Sequence, residues 1–143
     1  MKTSEITYRA AGCIILSTIT NRICLCKRSE FMRYPGTWST WGGNMDPDET
    51  PKQTVYREVL EETGFSGIDK LTPLLVYRDD HNSFVYHNFL AIINHEFTPM
   101  LDLYESEAHM WVDWGQWPKP LHPGLARLLG DKNSVSTILR YMR

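Results

Sequence analysis

Three glutamates, Glu58, Glu61 and Glu62, stand at spacings i, i+3 and i+4 within one short stretch of the chain. That stretch, Pro51 to Thr63, reads as a helix. Thr50 is a good N-cap, Gln53 completes a capping box with it, Pro51 takes the first helical position and Gly64 follows the last turn. At about 100° per residue the three carboxylates share one narrow arc, and Val55, Tyr56, Val59, Leu60 and Thr63 mark the adjoining side as the core face. Like charges at these spacings repel by roughly a few tenths of a kcal/mol per pair. The helix dipole also disfavours anions towards the C-terminal half. A solvated acidic face is one reading of the arc; a seat for a hard divalent cation with oxygen ligands is the other.

The flanking residues separate the two readings. After Gly42-Gly43 the chain runs through Glu49 to Arg57-Glu58-Val59-Leu60-Glu61-Glu62-Thr63-Gly64-Phe65. Gly43 to Phe65 resembles the Nudix box, the signature of the Nudix hydrolase superfamily, with every specified position filled. Seven fixed identities at fixed spacing coincide by chance with odds on the order of one in 10⁹. Weaker resemblance runs from the Tyr8 region through Cys26-Lys27-Arg28-Ser29 to Leu121-His122-Pro123-Gly124.

The resemblance implies a pyrophosphohydrolase that uses Mg²⁺ or Mn²⁺ to cut the diphosphate of a nucleoside diphosphate linked to a group X. X would make the substrate a nucleoside triphosphate, a nucleotide sugar, ADP-ribose or a dinucleotide. By the same resemblance Glu58, Glu61, Glu62 and the Gly42 carbonyl match the metal ligands. Arg57 and Glu49 match a buttressing pair, and Gly43 and Gly64 match positions of tight backbone geometry. Trp41 departs from the pattern, since many relatives carry proline there. Divalent ions neutralise phosphate charge and lower the pKa of a bound water, and a base must then take that water's proton. Glu61 or Glu62 suits this role, as does Glu105, which matches the place of a loop glutamate in several family members; Glu107 is its rival. The alternative function is a Nudix-fold nucleotide sensor or partner-binding module without turnover, although such sensors commonly lose box acids and this chain keeps them all.

Other signals are weaker. Trp38 and Trp41 flank the glycine pair, as base-stacking or core residues. Trp111, Trp114 and Trp117 are expected to be structural. Arg28 and Arg78 are candidate phosphate contacts, against the alternative of surface ion pairs. Tyr86 and Asn88 share one face of a strand, facing a pocket, the core or the surface. The five histidines lack close zinc spacing. Two places that mark subfamilies, about fifteen residues beyond the box, hold Asp80 and His81–Ser83, so the substrate within the class stays open.

Several elements must position these groups. Tyr8–Ser17 and Ile23–Lys27 read as a hairpin about Asn21-Arg22, Ser29–Thr37 as loop and Trp38–Trp41 as a short extended piece. Leu74–Tyr77 and Phe84–Ile93 read as strands around the polar turn Asp79–Asn82, followed by a strand at His109–Trp114 and helices at Pro123–Leu129 and Ser134–Arg143. The order indicates an α/β (α+β) fold. The resemblance narrows it to a Nudix-type α/β/α sandwich with a mixed central sheet and a catalytic loop–helix–loop.

The 143 residues suit one domain, 1–143, and fifteen Lys+Arg against seventeen Asp+Glu give a net charge of −2. That balance disfavours a protein built to grip extended nucleic acid. The expected partner is a small-molecule nucleotide, with the protein a monomer or homodimer. Cys13, Cys24 and Cys26 form no disulfide framework, and Cys24 and Cys26 share a strand face as buried, reduced thiols. Met1–Glu5 does not open a signal-type apolar run, and no run is long enough to span a membrane, so a cytoplasmic location is expected.

Overall fold

A computed structural model describes residues 8–81 and 83–143; the reading of Met1–Glu5 and the Asn82 end of the polar turn lie outside the described residues. The elements in order are β1 (Tyr8–Ser17), β2 (Arg22–Arg28), β3 (Trp38–Ser39), β4 (Trp41–Asn44) and α1 (Pro51–Thr63). They continue with β5 (Lys70–Arg78), β6 (Phe84–Ile93), β7 (Ser106–Asp113), α2 (Pro123–Leu129) and α3 (Lys132–Tyr141).

The strands form one mixed sheet around β1. β1 runs parallel to β6 along its whole length, from Tyr8↔Phe84 to Ser17↔Ile93. Its C-terminal end pairs antiparallel with β2 across the turn at Asn21, whose φ is 60°, a left-handed value that asparagine tolerates. Its N-terminal half pairs instead with β4, from Ala10↔Asn44 to Cys13↔Trp41. Residues 38–44 therefore cross between splayed strands: Trp38 and Ser39 pair with β2, and Trp41 to Asn44 with β1. That crossing brings the glycine pair to the sheet surface on which α1 lies.

Period-two alternation gives the sheet two apolar faces. Cys13, Ile15, Cys24, Cys26, Phe89, Ala91 and Ile93 pack on one side with Val55 and Val59 of α1. Ile14, Leu16, Ile23, Leu25, Leu90 and Ile92 pack on the other with Leu125, Leu128 and Ile138 of α2 and α3. The result is the expected helix–sheet–helix sandwich with a mixed sheet. The three thiols are free and buried, and burial, foremost, pushes Cys26 up to about 12. Among the described residues, no helix is long and apolar enough to cross a membrane.

Several readings change. β5 begins at Lys70 rather than Leu74 because Pro73 sits at an irregularity in an edge strand, a place where proline is tolerated. β7 begins at Ser106 rather than His109, and α3 at Lys132 rather than Ser134, where Asp131 caps it by accepting the Ser134 N–H at 3.0 Å. The buried face of α1 is Thr54, Val55, Glu58, Val59, Glu62 and Thr63, whereas Tyr56 and Leu60 are exposed. Val55, Val59 and Thr63 of the expected core face are inside, Tyr56 and Leu60 face water, and two of the three acids, Glu58 and Glu62, are buried beside them. Lastly, Trp41 has no exposed surface, and its indole Nε1 donates to the Cys24 carbonyl at 2.9 Å. Trp38 is buried in the cluster beneath α2, and its carbonyl accepts the His122 N–H at 2.9 Å. Neither indole offers a face to a base, which corrects the substrate-binding reading of both.

Trp41 thus ties the crossing segment to β2. Trp41→Phe, which removes the donor and leaves a void, is expected to destabilise the protein by about 1–3 kcal/mol in denaturant unfolding. KM should stay within about twofold; a large KM rise at unchanged stability would return Trp41 to the substrate.

Candidate active site

Helix α1 is held at both ends in the way its sequence dictates. Thr50 and Gln53 exchange side-chain-to-backbone bonds at 3.2 and 2.8 Å, and Gly64, with φ 77°, sends its N–H to the Leu60 carbonyl. The helix lies along β4 and β1, so Glu58 and Glu62 point towards the glycine pair. Gly43 has to be a glycine for this approach. A Cβ there would stand 2.5 Å from Glu58 Oε1, too close for the carboxylate to stay.

Arg57 organises the anions from the rim. Its Nε and Nη2 reach Glu49 at 2.7 and 2.9 Å, Nη2 also donates to the Asn44 carbonyl at 2.9 Å, and Nη1 reaches Glu58 at 2.7 Å and Glu61 at 3.2 Å. A fork shared in this way fixes both the loop before α1 and the carboxylate of Glu58. The Arg57 hydrogen bonds, foremost, hold Glu49 down at about 2. Thr54 adds a 2.7 Å bond to the same carboxylate.

Glu58, Glu62 and Glu105 each place a carboxylate oxygen within 4.8 Å of the others. Glu105 comes from the loop before β7, and Glu58 and Glu62 are only 9% and 5% exposed. Glu62 accepts a long hydrogen bond from the Gly42 N–H at 3.3 Å. Burial first, then the hydrogen bond and charge of Glu58 and the charge of Glu105, raise the Glu62 carboxyl well above the usual range. Burial likewise raises Glu105, with the charge of Glu58 next. This donor set fits a hard divalent cation: all oxygen, excess negative charge, and too little positive charge nearby to balance it. Glu61 stands apart from this triangle, with its side chain 59% exposed and in contact with Arg57.

The remaining candidates sit further out. Arg28 donates from Nε to the Arg33 carbonyl at 2.6 Å, in the same charged neighbourhood as Arg33, Arg127 and His122. Burial and then those arginines press His122 down to about 4, which leaves its Nδ1 free to accept the Gly124 N–H at 2.8 Å. Arg78 ends β5 and lies, with Arg9, in the field of His87. Glu107 pairs with Lys27 at 3.3 Å on the outer side of β7. Asn88 donates to the Leu75 carbonyl at 3.0 Å, whereas Tyr86, on the same strand face, is half-buried in the field of Glu62. Sequence reasoning missed Ser29, a buried serine whose N–H donates to the Glu105 carbonyl at 2.9 Å and whose hydroxyl donates to the Tyr104 carbonyl. Only its position directly after the Arg28 strand end could have drawn attention to it.

The sign of the Glu62 shift fixes a pH dependence. A raised folded pKa means that the metal-free native state binds more protons than the unfolded chain above the ordinary carboxyl value of 4.5. Metal-free stability is therefore expected to fall as pH rises from 4.5 towards neutrality. Glu62→Gln should flatten that fall and raise the metal-free midpoint at neutral pH. Thermal unfolding from pH 4.5 to 8 checks this, and an unchanged slope in the variant would contradict it.

Comparison with known proteins agrees with this geometry. The NUDIX domain model matches residues 7–131. Diphosphoinositol polyphosphate phosphohydrolase 2 of Mus musculus is 38% identical in a match that covers 44% of this chain and 41% of the mouse enzyme. This chain thus spans well under half the length of that relative. Among solved structures, a MutT NUDIX hydrolase from Burkholderia pseudomallei superposes with a TM-score of 0.70 at 25% identity, covering 88% of this chain and 98% of that one. The Nudix hydrolase RenU of M. smegmatis gives a TM-score of 0.74 at 23% identity over 93% and 88% of the two chains, a likeness of fold. With the domain match spanning residues 7–131, most of its length, the chain belongs to the Nudix hydrolase superfamily.

Proposed function

We propose that this protein is a divalent-metal-dependent pyrophosphohydrolase that cleaves the diphosphate of a nucleoside diphosphate linked to X by attack of water on phosphorus. The observation that carries the reading is the triangle of Glu58, Glu62 and Glu105 within 4.8 Å, two of them buried, with Arg57 paired to Glu58 at 2.7 Å. Family membership supports the reaction class.

Glu58, Glu62 and Glu105 would hold Mg²⁺ or Mn²⁺, with the exposed Glu61 and the Gly42 carbonyl completing the set. A cation bound there supplies charge neutralisation and a bound water of lowered pKa. The protein's own part is to hold these oxygens in place. Arg57 keeps Glu58 turned inward and joins it to Glu49, a role of orientation rather than chemistry. Glu105 takes the proton of the attacking water. Its carboxyl faces the helix pair from a separate loop. Arg28 contributes positive charge for a substrate phosphate at the end of β2. Arg78 does so at the end of β5.

A panel of nucleoside triphosphates, nucleotide sugars, ADP-ribose, dinucleotides and a diphosphoinositol polyphosphate, assayed with Mg²⁺ and with Mn²⁺, tests the reading. Metal-dependent release of phosphate or mononucleotide is the expected result. Glu62→Gln should abolish it with the fold intact, and Glu105→Gln should lower kcat by about 10²–10⁴-fold. Full activity in Glu62→Gln would overturn the site. No hydrolysis of any compound together with tight binding of one would instead identify a nucleotide sensor.

A further inference from the structure

The tryptophans beside the glycine pair are buried, yet two other rings stand in the open next to the carboxylates. Phe31 and Tyr104 are 61% and 62% exposed and stack on one another, with centroids 5.2 Å apart and planes 6° from parallel. They belong to separate loops joined by one buried side chain. Ser29 Oγ accepts the Phe31 N–H at 3.2 Å and donates to the Tyr104 carbonyl. The Ser29 N–H donates to the carbonyl of Glu105 at 2.9 Å, so the residue that fixes the rings also fixes one corner of the carboxylate triangle. Asp102 braces the same turn: its Oδ1 accepts the Tyr104 N–H at 3.1 Å and its carbonyl accepts the Glu105 N–H at 3.0 Å.

Single exposed apolar side chains need no explanation. Two rings stacked in parallel on loops tied together by hydrogen bonds are a different object, a paired apolar surface that stays largely in water. Tyr104 and Glu105 are chain neighbours, with Cα atoms about 3.8 Å apart. The surface therefore lies one residue from the site assigned to the diphosphate. Aromatic rings accept an offset-stacked planar partner. Every nucleobase presents such a π-face, which makes stacking tolerant of base identity. An inositol ring or an inorganic phosphate chain presents none.

We propose that Phe31 and Tyr104 form the nucleobase platform of this protein, selecting nucleoside diphosphate derivatives over base-free diphosphates. This rests on the pyrophosphohydrolase reading above and assigns its substrate class. Because both rings are exposed, truncating either leaves the core packing untouched.

The test compares Phe31→Ala, Tyr104→Ala and Tyr104→Trp with the wild-type protein. For the nucleotides of the panel, both alanine variants should raise KM about tenfold with kcat within about twofold, and the tryptophan variant should keep the wild-type KM. For inorganic tripolyphosphate or a diphosphoinositol polyphosphate, the alanine variants should leave KM unchanged. Equal KM shifts for base-bearing and base-free compounds, or no shift for nucleotides, would overturn the proposal, as would preferred turnover of a base-free diphosphate. A titration with AMP, followed through the ring NMR signals of Phe31 and Tyr104, separates this proposal from the catalytic one. Shifted ring signals in a protein that hydrolyses nothing would support the platform and overturn only the enzyme reading. Unresponsive rings would overturn the platform even if nucleotides are hydrolysed.

Discussion

The structure depends on holding carboxylates together against their own repulsion. Glu58 and Glu62 lie one helical turn apart on the buried face of α1, and Glu105 approaches them from another loop. Removing ionised carboxylates from water costs several kcal/mol each, by a rough count, unless something pairs with them. Arg57 meets part of this demand, and it spends most of its donors on Glu49 and the Asn44 carbonyl at the rim. Glu62, deepest of the three, keeps a raised pKa as the residue of the imbalance. A helix that buries two acids cannot be stabilised by its own contacts alone. Its two caps, and Val55 and Val59 packed into the sheet, supply what the acid row does not.

The rest of the molecule delivers groups to that row. The splay of β1 and β2 admits the crossing segment 38–44, and the buried Trp41 indole pins it to β2. A proline at that position would lack this anchor, so the tryptophan that looked like a substrate contact is a fastening of the glycine pair. Ser29 makes the matching fastening on the opposite side of the site. It couples the loop after β2 to the turn before β7, and Glu105 is placed by that coupling rather than by a secondary-structure element.

Much of this was legible in the sequence, in places where local chemistry decides the outcome. The bounds of α1 follow from Thr50, Gln53, Pro51 and Gly64, and the mixed α/β class follows from the order of the elements, which the family resemblance narrows to a helix–sheet–helix sandwich. The box marked Glu58 and Glu62, which meet in the triangle, together with Glu61, which does not. It could not say which of them are buried, because burial depends on what the helix lies against. The wheel placed Tyr56 and Leu60 inward on hydrophobicity alone, whereas the sheet contact turns the face towards Glu58 and Glu62. Residue types also misled at Trp38 and Trp41, since an aromatic beside a glycine pair reads alike whether it faces a ligand or the core. Ser29 and the Phe31–Tyr104 stack join residues more than seventy positions apart, and no local pattern carries such a contact.

The central claim, that this triangle of carboxylates exists to hold a divalent cation, is tested most directly by anomalous diffraction from crystals equilibrated with Mn²⁺. The account predicts a peak within bonding distance of Glu58, Glu62 and Glu105, lost in crystals of Glu62→Gln. No peak at saturating Mn²⁺, or one confined to carboxylates elsewhere on the surface, would contradict it.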